Sequence, residues 1–168
     1  MKLWIAQGFG IGRIPLAPGT FGSVVGVLWF AVLLLPGSLW MLLGGSVAAT
    51  ALSVWLCGEA ETILGKRDPG SVVLDEIAAM PVCFIGLVAV ELCKTGTPPG
   101  LSAFFSAQTW PVTLAVFGAF RFFDVAKPWP VFQSQSLPGG WGVTLDDTLA
   151  AVYVNATALL VYTLKGYF

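Results

Sequence analysis

The sequence predicts an all-α, multi-pass membrane helical bundle of four or five spans, with a polar site at the span ends on one face of the bilayer. Three observations predict it. Hydrophobic residues make up 57% of the chain and charged residues only 10%, where about 25% charged is usual for a soluble domain. The apolar residues fall into five runs long enough, or nearly so, to cross a bilayer as helices. The charges collect between those runs. Eight basic and nine acidic side chains in 168 residues are too few to coat a soluble protein of this size, and a lipid-facing coat fits better. The length suits one domain, 1–168.

The runs are 20–36, 38–57, 77–93, 102–123 and 148–164. The first two are uncharged, and Pro36-Gly37 between them makes a tight turn that sets them antiparallel. The third carries Glu91 near its end and is the weakest candidate span. Thr97-Pro98-Pro99-Gly100 turns the chain into the fourth run, where Pro111 predicts a kink and Arg121 lies at the far end. The fifth run is uncharged. The segments 58–76 and 124–147 read as the long loops. Residues 1–15 have no unbroken apolar stretch and no clear cleavage site, so no signal peptide is expected. Cys57, Cys83 and Cys93 sit in apolar runs and read as small packing residues.

Counting spans places Lys2, Arg13, Lys66, Arg67, Arg121 and Lys127 on the side of Met1, against Lys94 and Lys165 on the other. The excess of basic residues in short loops makes the Met1 side cytoplasmic. All the acids except Glu91 fall on that side too. A net charge of −1 offers no basic surface for nucleic acid. The absence of histidine removes any mechanism that needs a His nucleophile, base or metal ligand.

Four features carry chemistry. Asp75-Glu76 lies at the mouth of the third span, where a helix N-terminus favours negative charge; simple capping explains the pair equally well. Arg121 and Asp124 are spaced to share a helix face, and Pro128 discourages helix at Lys127; an ion pair with a snorkelling lysine is the plainer alternative. Trp129 and Trp4 suit interfacial anchors. Asp146-Asp147 precedes the fifth run and follows glycines that allow close approach to a ligand; a doubled N-cap is the competing reading. In the segment 11–26, Gly19, Thr20 and Ser23 open the first span, and free N–H groups there can hold phosphate, although a plain turn explains them as well.

Together the four features say more than each alone. Asp75, Glu76, Asp124, Asp146 and Asp147 lie at three span ends on one side, and a packed bundle brings those ends together. Crowded carboxylates repel unless a cation stands between them. A hard divalent ion suits an all-oxygen donor set, and Mg2+ is the common choice beside phosphate. Arg13, Arg121 and Lys127 are then placed for phosphate oxygens. The combination points to phosphoryl chemistry on a lipid. Other phosphatase designs are missing: no Cys has Arg six residues later, there is no Asp-x-Asp-x-Thr, and no CDP-alcohol phosphotransferase pattern occurs. Attack by water or by an aspartate carboxylate both fit the remaining residues. A transporter would carry its ionisable groups within the spans, and a scaffold would need no clustered acids.

The chain resembles bacterial phosphatidylglycerophosphatase A. The matching segments are GFGIGRIPLAPGTFGS (8–23), DPGSVVLDE (68–76), FRFFDVAKPWP (120–130) and GGWGVTLDDTLA (139–150), in the family's order. The resemblance implies an Mg2+-dependent enzyme of the bacterial cytoplasmic (inner) membrane that dephosphorylates phosphatidylglycerophosphate to phosphatidylglycerol. It maps the family's acidic positions onto Asp75, Glu76, Asp124, Asp146 and Asp147, and its basic ones onto Arg121 and Lys127. Asp68 also matches, and Arg13 falls where the family varies. Ala79, Thr144 and Ala151 depart from the usual residues without touching a carboxylate. Phosphatidic acid is the rival headgroup.

Overall fold

The computed structural model describes residues 1–164; Lys165, expected on the far side, lies outside the described residues. All regular structure among them is helical. The elements are α1 (Lys2–Ala6), α2 (Pro18–Leu34), α3 (Leu39–Leu64), α4 (Leu74–Cys83), α5 (Ile85–Thr95), α6 (Ser102–Phe105), α7 (Trp110–Ala126), α8 (Val131–Ser134) and α9 (Gly140–Leu164). A 3-10 turn over Gly8–Arg13 links α1 to α2. Three helical stretches are long and apolar enough to cross a membrane: Leu39–Leu64, Leu74–Thr95 and Gly140–Leu164. The shorter apolar α2 accompanies them.

Helix α2 opens on Pro18, a residue suited to a helix start because its missing N–H would have no partner there. The turn at Pro36-Gly37 forms as expected, with Gly37 at φ +59°. The Ser38 hydroxyl accepts the Met41 N–H and caps α3. Helix α3 runs beyond the apolar run and carries Glu59 and Glu61 in its last turns, before Gly65 ends it at φ +62°. Those two acids are therefore helical, not part of a loop. The short α1 is tied to this end of α3 by Lys2, whose Nζ lies 2.9 Å from Glu59 and over the Trp55 ring.

The third run is two helices. Pro81 has no N–H to donate within α4, and the α-helical pattern breaks at Phe84, whose N–H bonds back to the Pro81 carbonyl before α5 begins. Asn155 of α9 bridges the break. Its Oδ1 accepts the Gly86 N–H at 2.6 Å, and its Nδ2 donates to the carbonyls of Val82 (2.8 Å) and Ala151 (2.9 Å). The fourth run also divides: α6 is one turn, and Pro111 lies in the first turn of α7. Pro111 starts a helix where a kink was expected, because its ring is harmless ahead of the first hydrogen-bonded turn. Phe30, Phe84 and Phe104 form the aromatic centre of the core, the first two stacked at 4.0 Å between centroids.

Helix α9 begins at Gly140, well before the fifth apolar run, so Asp146 and Asp147 lie inside it and cannot be N-caps. Its first glycine serves helix contact, not ligand approach. A Cβ on Gly140 would stand 1.8 Å from the Val54 carbonyl oxygen of α3, and one on Gly58 would stand 2.9 Å from the Gly140 nitrogen. Thr144, a departure from the family pattern, is buried and pairs with the Ser53 hydroxyl at 2.9 Å. Cys57 and Cys83 are buried as packing residues, whereas Cys93 is exposed on the outer face of α5.

Candidate metal centre

Four helix ends meet at one end of the bundle. Helix α4 brings Asp75 and Glu76 in its first turn, α9 brings Asp146 and Asp147 from its second, α7 brings Arg121 and Asp124 in its last turns, and α2 brings Gly19 and Ser23. The start of α4 is fixed by the segment before it: the Val73 N–H donates to the Ala6 carbonyl, and Gln7 donates to the Ser71 hydroxyl.

The five acids do not form one uniform cluster. Asp75, Glu76 and Asp147 each present a carboxylate oxygen, and these oxygens all lie within 4.8 Å of one another. Asp75 and Asp147 are buried, with Glu76 nearly so. Asp75 Oδ1, Glu76 Oε2 and Asp147 Oδ2 are inaccessible and have no hydrogen-bond partner in the protein. Buried polar atoms are rarely left this way. Three side chains whose carboxylates cluster this closely, each with a buried oxygen left unpartnered, suit a hard cation that takes oxygen ligands.

The other two acids already hold cations. Asp124 Oδ2 lies 2.8 Å from Arg121 Nη1, which reaches Glu76 Oε1 at 4.0 Å and donates to Ser23 Oγ at 3.4 Å. Asp146 Oδ2 accepts from Lys127 Nζ at 2.6 Å and from Gln135 Nε2 at 3.0 Å. Burial pulls the Lys127 ammonium toward neutrality. The Asp146 hydrogen bond and the surrounding carboxylates outweigh that and hold its pKa above the ordinary lysine value of 10.5. Asp147 remains within electrostatic reach of both outer acids as well as Asp75.

Gly19 is where α2 comes closest. A Cβ there would stand 2.3 Å from Glu76 Oε1 and 3.2 and 3.3 Å from the Arg121 Nη atoms. Ser23 joins through its bond to Arg121 while donating to the Gly19 carbonyl. The Thr20 N–H bonds back to the Ala17 carbonyl. Arg13 stands apart: it is exposed, and its Nε donates to Gln7 Oε1. The Asp68 N–H donates to Glu61 Oε1, and Asp68 lines a small hollow with Gln135. Sequence reasoning missed Gln135, an amide in a loop with no pattern to flag it. It also missed Asn155, which a lone polar residue within an apolar span does signal.

Spanning helices with a buried carboxylate triad at one end, flanked by a guanidinium and an ammonium, define a polytopic membrane protein with a candidate metal centre for anionic ligands. The chain matches Phosphatidylglycerophosphatase A over residues 4–162, and it belongs to that family of membrane phosphatases. It is 36% identical over 150 residues to the Phosphatidylglycerophosphatase A of Haemophilus influenzae, covering 89% of this chain and 81% of the relative. It is 31% identical over 150 residues to the Escherichia coli protein of the same name, covering 88% and 76%. A Bacteroides thetaiotaomicron protein named "Putative phosphatidylinositol-3-phosphatase" is 36% identical over 157 residues, covering 91% and 88%. No solved structure matches.

Proposed function

We propose that this enzyme hydrolyses the terminal phosphomonoester of phosphatidylglycerophosphate, giving phosphatidylglycerol and inorganic phosphate, at a centre where Asp75, Glu76 and Asp147 hold Mg2+. The observation that carries the reading is the trio of buried, unpartnered oxygens on those side chains, close beside Arg121 and Lys127. A bound Mg2+ would supply Lewis-acid polarisation of phosphoryl oxygens. Arg121 and Lys127 offset charge on the transferring phosphoryl group. Asp124 and Ser23 aim the guanidinium, and Asp146 with Gln135 aims the ammonium. Gly19 keeps the entry to Glu76 and Arg121 free of a side chain. The cleaved bond joins phosphorus to the lipid alcohol oxygen, with water supplying hydroxyl to phosphate and a proton to the alcohol.

The excess of basic residues on the Met1 side supports a site facing the cytoplasm in the bacterial inner membrane. The names of two relatives support the phosphatidylglycerophosphate headgroup, and a third names a different lipid phosphate. The test is phosphate release by detergent-purified protein from phosphatidylglycerophosphate, phosphatidic acid and phosphatidylinositol-3-phosphate, each with Mg2+ or EDTA and each repeated with Asp147→Asn. Metal-dependent release, fastest on phosphatidylglycerophosphate and lost in the variant, is expected. Faster turnover of another headgroup would displace the substrate assignment, and EDTA-insensitive release would displace the metal.

A further inference from the structure

A second cavity lies at the opposite end of the bundle from the acids. It has a volume of about 570 Å³ and forms a cleft between α5 and α7 floored by α9. Its volume falls in the range of roughly 300–1,000 Å³ typical of small-molecule sites. Val116, Ala119 and Val154 line its inner end, and Ala115 and Ala158 its middle. The charged side chains on its wall, Glu91 and Lys94, lie with Tyr162 at the outer end.

Position along α9 gives the depth. At 1.5 Å per residue, Val154 lies about 10 Å beyond Asp147 and Tyr162 about 22 Å beyond it. The cleft thus runs through the half of the apolar slab away from the acids. Its outer end carries Lys and Tyr, residue types that favour a membrane–water interface. The occupant must therefore be polar at the far end and apolar toward the centre. A substrate lipid, with its phosphate at the acids, would have the reverse polarity.

We infer that this cleft is a binding site for one acyl chain of a phospholipid from the leaflet opposite the metal centre, with that lipid's headgroup beside Glu91 and Lys94. Lys94 lies over the Tyr162 ring, so the outer end sets the polarity of the occupant and not the identity of its headgroup. The small side chains at Ala115, Ala119 and Ala158 leave the chain's width open. Helices α5 and α7 both pack on α9 and leave the cleft between them, so a bound lipid fills space that no side chain fills.

The test is native mass spectrometry of delipidated full-length protein titrated with dioleoyl phosphatidylethanolamine in detergent. Wild type is expected to retain one lipid at collision energies that strip the rest. Ala115→Trp and Ala158→Trp fill the cleft and are expected to lose that lipid, while Val47→Trp, on the exposed face of α3, keeps it. Thermal melting of each variant identifies any that misfold, and either of the two cleft variants, folded, suffices. An equal retained adduct in a folded cleft variant, or none on wild type, overturns the inference. This readout is independent of phosphate release, so it stands or falls apart from the proposed reaction.

Discussion

Gly19→Ala offers a sharp separation of chemistry from folding. The added methyl would stand 2.3 Å from Glu76 Oε1, where ordinary contact begins near 3.4 Å. The carboxylate must retreat by about 1 Å. It sits at the end of a side chain and can do so cheaply, and alanine favours a helical position by up to about 1 kcal/mol over glycine. Stability should therefore change by less than about 1 kcal/mol. The site should suffer far more, because a displacement of about 1 Å at a reacting centre costs about 100-fold in rate, or ~2.7 kcal/mol of barrier. The assay is phosphate release across a Mg2+ titration, paired with thermal melting in the same detergent. Gly45→Ala is the control: its methyl would meet Leu33 Cδ2 at 2.4 Å, at the end of α2 away from Gly19, and any melting loss comes through the α2–α3 packing without touching the acids. Wild-type turnover and metal dependence in Gly19→Ala would refute the placement of Glu76 at the centre. An activity loss no larger than its melting loss would refute the claim that Gly19 serves chemistry.

Further expectations follow from the same geometry. Mg2+ at about 100 times its dissociation constant should stabilise the fold by about 2.7 kcal/mol, and Asp75→Asn or Asp147→Asn should abolish that shift in melting; an undiminished shift would place the ion elsewhere. Lys127→Met should cost about 1–3 kcal/mol by stripping the cation from buried Asp146. Because the folded pKa of Lys127 is raised, its stabilisation is fully present below the unfolded value near 10.5 and lost as pH rises through the folded value. The melting gap between wild type and variant should hold from pH 7 to pH 9 and narrow only above that range. Asn155→Leu should cost a few kcal/mol, since the Gly86 N–H and Val82 carbonyl lose their partner in an apolar setting; unchanged melting would mean the break is satisfied by other means.

The helical class and the meeting of the acids at one end could be read from hydropathy and charge, because both depend on which residues tolerate lipid. Helix ends were harder. Hydropathy marks where the bilayer stops, not where the hydrogen bonds stop, so α3 carries Glu59 and Glu61 in helix, and α9 starts six residues before Asp146. Pro111 and Pro81 show the same limit from another direction: one opens a helix and the other lies within α4 shortly before its end. A residue type does not say which. The close grouping of Asp75, Glu76 and Asp147, and the pairing of Asp146 with Lys127, depend on distances between elements far apart in sequence. The Arg121–Asp124 spacing does announce its ion pair, whereas nothing in the local pattern around Asp146 distinguishes it from Asp147. Arg13 matched the expected charge but pairs with Gln7, since the turn that carries it packs against the residues before α4.

Asn155 has a consequence beyond the break it repairs. Within a bilayer, apolar faces slide past one another with little penalty, because lipid is as apolar as any helix. The trio of carboxylates comes from two helices, α4 and α9, and a slip of one turn would move Asp147 about 5.4 Å from its partners. Two turns below the acids, the Asn155 amide grips the α4–α5 junction and α9 together. It acts as a detent that fixes the axial setting of the two helices. Moving the acid-bearing segments into another bundle without that detent would transfer the residues and lose their alignment.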